Sequence, residues 1–302
     1  MAAQGPPLDP RLFDDDDDAE NLAYKQILDG VIAQATPPAH AAAQVDEWVT
    51  TEAEARWSRL KDRQLTQDER DSLYLMGPNP SRHVDMIVGT IATVCSAYPP
   101  AHAAQNALVE FIQALKGLPK HQVPGLSYDD SLDPVLGGTY SLWPFGSPST
   151  GYLAQLFQRE AEELAYPYSE VETPGSEFQL RWRNLQAFVA RLTTLDLLDC
   201  SAVSALSYLL PSAHTYPDLA RRKDGGPRRI ASDLLAASQW LAPDEARGWV
   251  YMQCAAGAGE PWTAQNWAQW KRQMAFIAGD ERFGDETRTL AASLKGKMDA
   301  HE

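Results

Sequence analysis

"PPAHAAAQ" at Pro37–Gln44 returns as "PPAHAAQ" at Pro99–Gln105. A proline at the first helical position costs little, because its missing N–H would have no intrahelical acceptor, and the alanines behind it propagate a helix. The segments before each copy also correspond, "GVIAQAT" from Gly30 and "GTIATVCSAY" from Gly89. The repeated object is therefore helix, proline turn, helix, with the Pro-Pro pairs 62 residues apart (37 and 99). That is an α-hairpin used twice, as in stacked helical arrays. His40 and His102 fall in first turns, where the helix dipole disfavours an imidazolium, and neither has a second ligand at i+4. The repeat reads as one way of starting a helix, not as a duplicated site.

The rest of the chain extends the pattern. Helices fit Glu20–Ala35, Pro38–Arg63, a third opening at "TQDE", Ser81–Ala97 and Pro100–Lys116. In the third, Thr66 and Glu69 have capping-box spacing. Leu108, Phe111, Ile112 and Leu115 give the fifth one apolar stripe. Further helices fit Tyr152–Ala165, Ser176–Leu195, Ser201–Leu210, Pro227–Leu241, Pro243–Ala256, Thr263–Ala278 and Asp285–Ala300. Strand signals are nearly absent. The expected fold is all-α, about ten to twelve helices in an antiparallel, stacked α-hairpin bundle.

Between these helices, residues 118–150 are punctuated by proline and glycine and are expected to form one long irregular loop. Trp143 and Phe145 within it require burial, which places the loop over the helical body. Residues 1–18 combine prolines with Asp14–Asp18 and are expected to be a disordered acidic tail, although the aspartates suit a helix start near Ala19. A single helical domain is expected over 19–302, with possible lobes 19–117 and 151–302 joined by the loop.

Composition narrows the function classes. The 302 residues are 44% hydrophobic, enough for a substantial core, and 41 acidic side chains against 26 basic ones leave a net charge of −15. That charge repels phosphate backbones and anionic bilayers, so neither nucleic acid nor membrane is an expected partner. No apolar run reaches the roughly 18 residues of a membrane helix, and the N-terminus lacks a signal-peptide pattern. Cys95, Cys200 and Cys254 are odd in number and form no CxxC pair, which suits a reducing, cytoplasmic setting.

Three stretches bear on chemistry. "YDDSLDP" holds Asp129, Asp130 and Asp133 in the DDxxD spacing by which helical prenyl-diphosphate enzymes bind Mg²⁺. Here the aspartates lie between Gly125 and Pro134, where turn chemistry explains them equally, and the second motif of those enzymes is missing; no metal is expected. "RRKDGGPRR" makes Arg221, Arg222, Arg228 and Arg229 a candidate anion contact, with a solvated turn as the plainer account. Of nine tryptophans, five lie between residues 240 and 270, and Trp267, Trp270, Met274 and Ile277 share one helical face beside Lys271. Such a stripe packs a core or walls an apolar pocket. No nucleophile elbow, dinucleotide, P-loop, zincin or EF-hand motif is present, and no cofactor is expected.

"RWRNLQAFVARLT" at Arg181–Thr193 and "WTAQNWAQWKRQMAFIAGDERFGDETRTLAASLKGKM" at Trp262–Met298 resemble a fungal family, domain of unknown function 3632. The resemblance rests on Trp182, Asn184, Leu185, Ala187, Phe188, Ala190, Arg191 and Leu192. Trp267, Trp270 and Lys271 follow, then Glu286, Thr287, Arg288 and Met298. It implies a fungal source and a helical fold, and it carries no catalytic residue across. Beside it, Arg191 and Lys271 read as cations that pair with carboxylates to hold helices in register.

Three functions follow from these observations. The first is a non-enzymatic binding or scaffold module for a protein partner or a small apolar ligand. The second is a cofactor-independent isomerase, lyase or cyclase of fungal specialised metabolism. Its pocket would draw on Trp143, Phe145, Tyr152, Trp182, Arg191, Trp267, Trp270 and Lys271. A Mg²⁺-dependent prenyl-diphosphate enzyme is a weaker third.

Overall fold

A computed structural model of the chain describes residues 5–146, 151–164, 175–210 and 226–301. These residues are predominantly helical, with twelve α-helices and one two-stranded sheet among them. The chain divides into two compact units, and the division falls within two of its helices. The hairpin unit comprises Arg11–Ile91 and Ala103–Leu156; the tryptophan unit comprises Met1–Pro10, Ala92–His102 and Phe157–Glu302.

In the hairpin unit, α1 (Ala19–Ile32) starts where the Asp18 carboxylate accepts the Asn21 N–H at 2.8 Å. It buries Tyr24, Leu28 and Val31 on one face. Helix α2 (Pro38–Leu60) has proline at its first position and packs on α1 and on α6 (Ala103–Gly117) through Ala41, Ala42, Val45, Val49 and Ala53. The two copies of the repeat are not equivalent. The second helix starts at Ala103 rather than Pro100, because the His102 N–H turns back to the Pro99 carbonyl and its ring stacks on Tyr98. The Thr66–Glu69 capping box opens α3 (Gln67–Asp71), with α4 (Leu73–Met76) close behind and α5 (Pro80–Ala97) following.

The expected irregular loop at 118–150 contains a β-hairpin. Strand β1 (Gln122–Tyr128) pairs antiparallel with β2 (Pro134–Ser141), from Gln122 opposite Ser141 to Tyr128 opposite Pro134. Gly137 is the extra residue of a bulge and has φ +113°. At Gly138 the strands approach so closely that a Cβ would stand 2.4 Å from the Leu126 carbonyl oxygen. Strand β1 packs on α2, and β2 meets α4.

Residues 5–18 carry no helix or strand but make specific contacts. In the tryptophan unit the Leu8 N–H donates to the Ala97 carbonyl at 2.9 Å. In the hairpin unit Leu12 is buried, and Lys25 Nζ lies 2.6 Å from Asp17.

In the tryptophan unit, α7 (Gly151–Leu164), begun in the hairpin unit, brings Phe157 against Phe188 of α8 (Glu177–Thr194), ring centroids 6.1 Å apart. Helix α8 packs on α9 (Gly226–Leu241), which also meets α10 (Asp244–Ala256) and α12 (Asp285–Asp299); α11 (Ala264–Gly279) lies on α12. The helix expected over Ser201–Leu210 is instead two 3₁₀ turns, Ser201–Val203 and Ala205–Leu209. The break has a cause in the side chains: Ser204 Oγ caps the Leu206 N–H, and Gln186 Oε1 takes the Ala205 N–H at 2.8 Å.

Helix α8 is buried on nearly every side, polar residues included. Arg181 donates from Nη1 to Ser96 Oγ (2.9 Å), from Nη2 to the Asp9 carbonyl (2.6 Å) and from Nε to Glu177 (2.8 Å). Asn184 donates to the Ser96 carbonyl and Gln186 to the Val203 carbonyl, both at 2.9 Å.

Two outcomes test this architecture. Arg181→Met strands the Ser96 and Asp9 acceptors and is expected to lower the unfolding free energy by about 3 kcal/mol, read by urea titration; an unchanged midpoint would refute the role. Gly138→Ala is expected to cost about 2 kcal/mol of local stability, seen as faster amide exchange over residues 122–141. Wild-type exchange there would show the close approach to be dispensable.

Candidate functional site

The residues proposed as one aromatic pocket fall in both units. Trp143, Phe145 and Tyr152 belong to the hairpin unit; Trp182, Arg191, Trp267, Trp270 and Lys271 belong to the tryptophan unit. In the first group, Trp143 is buried, stacks on buried Phe145 at 6.5 Å and donates its Nε1–H to Asp46 at 2.6 Å. The Tyr152 hydroxyl meets that of Tyr140 at 3.1 Å, and burial raises the pKa of both phenols, keeping them protonated.

In the second group, Trp270 joins Trp240, Trp249 and Trp262, with successive ring centroids 5.2–6.2 Å apart. The cluster is pinned at two points. The Trp270 Nε1–H donates to the Leu206 carbonyl at 2.9 Å and the Trp240 Nε1–H to Gln186 Oε1 at 2.7 Å. Trp267 packs edge-on against Tyr251, and Trp182 against Tyr208. Lys271 pairs with Asp299 at 2.8 Å, linking α11 to α12 as its sequence position suggests, and Arg191 sits half-buried in the last turn of α8.

The other candidates are placed as follows. Arg221 and Arg222 lie outside the described residues; Arg228 is exposed in α9, and Arg229 lies 3.9 Å from buried Asp233 one turn on. Asp129, Asp130 and Asp133 form the turn of the β-hairpin. Asp129 Oδ1 accepts the N–H groups of Ser131 (2.9 Å) and Asp133 (3.0 Å), which commits that oxygen to the turn. Among the described residues no three His, Cys, Asp or Glu side chains are grouped so as to hold a metal ion.

Two polar constellations escaped linear reading. Thr50 Oγ1 lies 3.3 Å from His121 Nε2, and Nδ1 of the same ring lies 3.1 Å from the Pro119 carbonyl, which can only accept and so takes an Nδ1–H. Asp46 approaches the same Nε2 at 3.6 Å, whereas a catalytic carboxylate would orient the opposite nitrogen. Thr50 sits mid-helix in α2, where neighbouring backbone N–H groups are spent on the helix and offer no oxyanion donors. The arrangement ties α2 to the approach of β1.

The second constellation centres on Glu20 at the start of α1. Its carboxylate accepts from Arg56 of α2 (2.8 Å) and from Arg82 (2.7 Å) and His83 (2.5 Å) of α5. His83 is fully buried against Trp48, ring centroids 4.9 Å apart, and its Nδ1 has no hydrogen-bond partner. Burial pushes the His83 pKa down, as do Arg56 and Arg82, and Glu20 only partly opposes them. Burial alone would raise Glu20, but hydrogen bonds from Arg82 and His83, together with the charge interactions of His83 and Arg56, outweigh it and hold the carboxyl below its ordinary 4.5.

The exposed side chains gather elsewhere in the same unit. The hairpin turn presents Leu132, 79% exposed, beside Tyr128, 54% exposed, and α4 presents Tyr74, Leu75 and Met76. Leu132 has φ +66°, a left-handed conformation that costs an aliphatic residue roughly 1 kcal/mol. The turn is closed by Asp129 N–H to the Asp133 carbonyl and Leu132 N–H to the Asp129 carbonyl, each 3.0 Å.

A family model described as "Protein of unknown function (DUF3632)" matches residues 89–281, more than half of the chain. The chain belongs to this family. The DUF3632 match takes in the β-hairpin, α8 and the tryptophan cluster and stops before Glu286, Thr287, Arg288 and Met298, which lie beyond it. No curated protein and no solved structure matches the chain. No helix among the described residues is long and apolar enough to cross a membrane.

The Glu20 cluster makes stability depend on pH in one direction. His83 has its pKa lowered by folding, so its contribution is complete above the unfolded value near 6.5 and declines as pH falls toward the folded value. Glu20 is also lowered, and its contribution is lost as pH falls below 4.5 through its folded value. Thermal melts from pH 8 to 4 are expected to lose Tm below about 6.5, with His83→Gln flattening the segment between 6.5 and 4.5 and leaving the lower one. A wild-type slope in that variant would remove His83 from the account.

Proposed function

We propose that this DUF3632 protein is a non-enzymatic binding module whose contact surface is the β-hairpin turn of the hairpin unit. One observation carries the reading: Leu132 is held in a costly left-handed conformation and is 79% exposed, so the strain brings no burial within the chain. The turn is pinned by Asp129 and by its own backbone bonds, which lowers the entropy lost when a partner orders it.

The aromatic residues of the enzymatic alternative support packing rather than substrate binding. Trp143, Trp182, Trp267 and Trp270 are buried, and the indoles of Trp143 and Trp270 donate within the fold. A cofactor-independent isomerase, lyase or cyclase of fungal specialised metabolism is therefore the lesser reading, and a Mg²⁺-dependent prenyl-diphosphate enzyme stands behind it. Three buried free thiols favour a reducing compartment, and we place the protein in the cytoplasm on that ground.

A photo-crosslinking amino acid at position 132, in cells that make the protein, is expected to give one discrete protein adduct that the same probe at exposed Glu281 does not. Purified partner should then lose binding to Leu132→Ser while the melting curve stays unchanged. Identical adducts from both positions, or none from position 132, would defeat the proposal.

A further inference from the structure

We infer that the occupant of the hairpin turn is a short basic and apolar segment of a partner protein, in which Lys or Arg stands beside aliphatic or aromatic residues. The inference rests on the binding reading above and adds the chemistry of the partner. Gln122–Ser141 contains Asp129, Asp130 and Asp133 and no Lys or Arg, so the hairpin carries three negative charges with no internal counter-charge. Residues 127–133 are all exposed. Among the described residues no cation forms an ion pair with any of these aspartates.

Where a carboxylate of the unit helps to hold its helices or its N-terminal segment together, it is matched by a cation. Glu20 meets two arginines, Asp17 meets Lys25 and Glu69 meets Arg63. The turn sets its three charges, free of any ion pair among the described residues, beside large apolar side chains: Tyr128 at the end of β1, Leu132 in the turn and Val135 one residue into β2. Leu126 leads this surface back toward α4, because its Cδ2 lies within 2.9 Å of where a Cβ on Gly77 would stand.

Charge complementarity selects among occupants. A neutral apolar partner would draw Asp130 and Asp133 toward a low-dielectric rim without compensation. Phosphate-bearing partners and acidic surfaces are repelled, and so is a second copy of this chain, which brings the same aspartates and a net charge of −15. Lys or Arg beside apolar anchors answers both halves of the surface, steering approach over long range and burying Leu132 and Tyr128 on contact. A linear segment suits a convex turn of this size, since the turn can lie against it without needing a concave site.

The test is selection of a random 12-residue peptide library, displayed on phage, against the full chain at low ionic strength. Enriched sequences, made synthetically, are titrated by fluorescence anisotropy. Enrichment of peptides with at least two Lys or Arg beside apolar residues is expected. Affinity should weaken about tenfold in Leu132→Ser and in the Asp130→Asn/Asp133→Asn double variant, the latter also with a shallower salt dependence. Asp129 is left intact in these variants because it closes the turn. Peptides without basic residues that still require Leu132 would overturn the partner chemistry while leaving the hairpin as the contact. Peptides whose affinity ignores both variants would overturn both, and no enrichment at all would overturn the linear-segment inference.

Discussion

The tryptophan unit depends on the desolvation of α8. A helix buried on nearly every side must either be apolar throughout or find a partner for each polar group it takes out of water. Helix α8 takes the second course for its buried Arg, Asn and Gln side chains, although the Trp182 indole N–H is buried without a hydrogen-bond partner among the described residues. Arg181, Asn184 and Gln186 send their donors to backbone carbonyls or hydroxyls of residues far away in the chain, at Asp9, Ser96 and Val203. Those bonds specify where neighbouring segments run, since a carbonyl is satisfied only by a segment that passes at the right height. Gln186 extends the control further: its oxygen receives both the Ala205 N–H and the Trp240 indole, so one amide sets a 3₁₀ turn and one ring of the tryptophan cluster.

The hairpin unit resolves the same problem by concentrating charge instead of dispersing it. Glu20 gathers two guanidinium groups and a buried imidazole from two other helices, so α1, α2 and α5 share one electrostatic focus. Arg56 carries the link onward, donating also to the Leu75 carbonyl of α4 at 2.8 Å. The aspartates of the turn have no such inward role: Asp130 and Asp133 are exposed, and Asp129 Oδ1 serves only the turn itself.

Helices were legible because their signals are local. Pro38, the Thr66–Glu69 box and the stripe through Leu108, Phe111, Ile112 and Leu115 each act within one or two turns, and each appears where periodicity placed it. The β-hairpin was hidden because Pro124, Pro134 and Gly137–Gly138 read as breakers. In fact Pro134 stands first in its strand and the glycines form a bulge, positions where such residues are tolerated. A turn of charged residues between Leu126-Ser127-Tyr128 and Val135-Leu136 was the available signal. The 3₁₀ turns and the late start of α6 were beyond linear reading, because the deciding groups, Gln186 and the ring of Tyr98, act through tertiary contact or a turn that spacing alone does not reveal. For the candidate site, residue types were visible but their surroundings were not: burial made packing residues of the tryptophans, and exposure singled out Leu132.

The bond between Arg181 and the Asp9 carbonyl spans 172 residues of sequence. During synthesis Asp9 emerges long before its partner exists, an interval of about 10–30 s at ordinary elongation rates. The hairpin unit draws only on residues 11–156 and is fully available before α8 is made. Asp9 and Ser96 are made in the same interval, and their acceptors find their donors only when α8 exists. The order of the chain thus makes the tryptophan unit the later of the two to have all its residues, since its oldest segment must wait for its youngest helices.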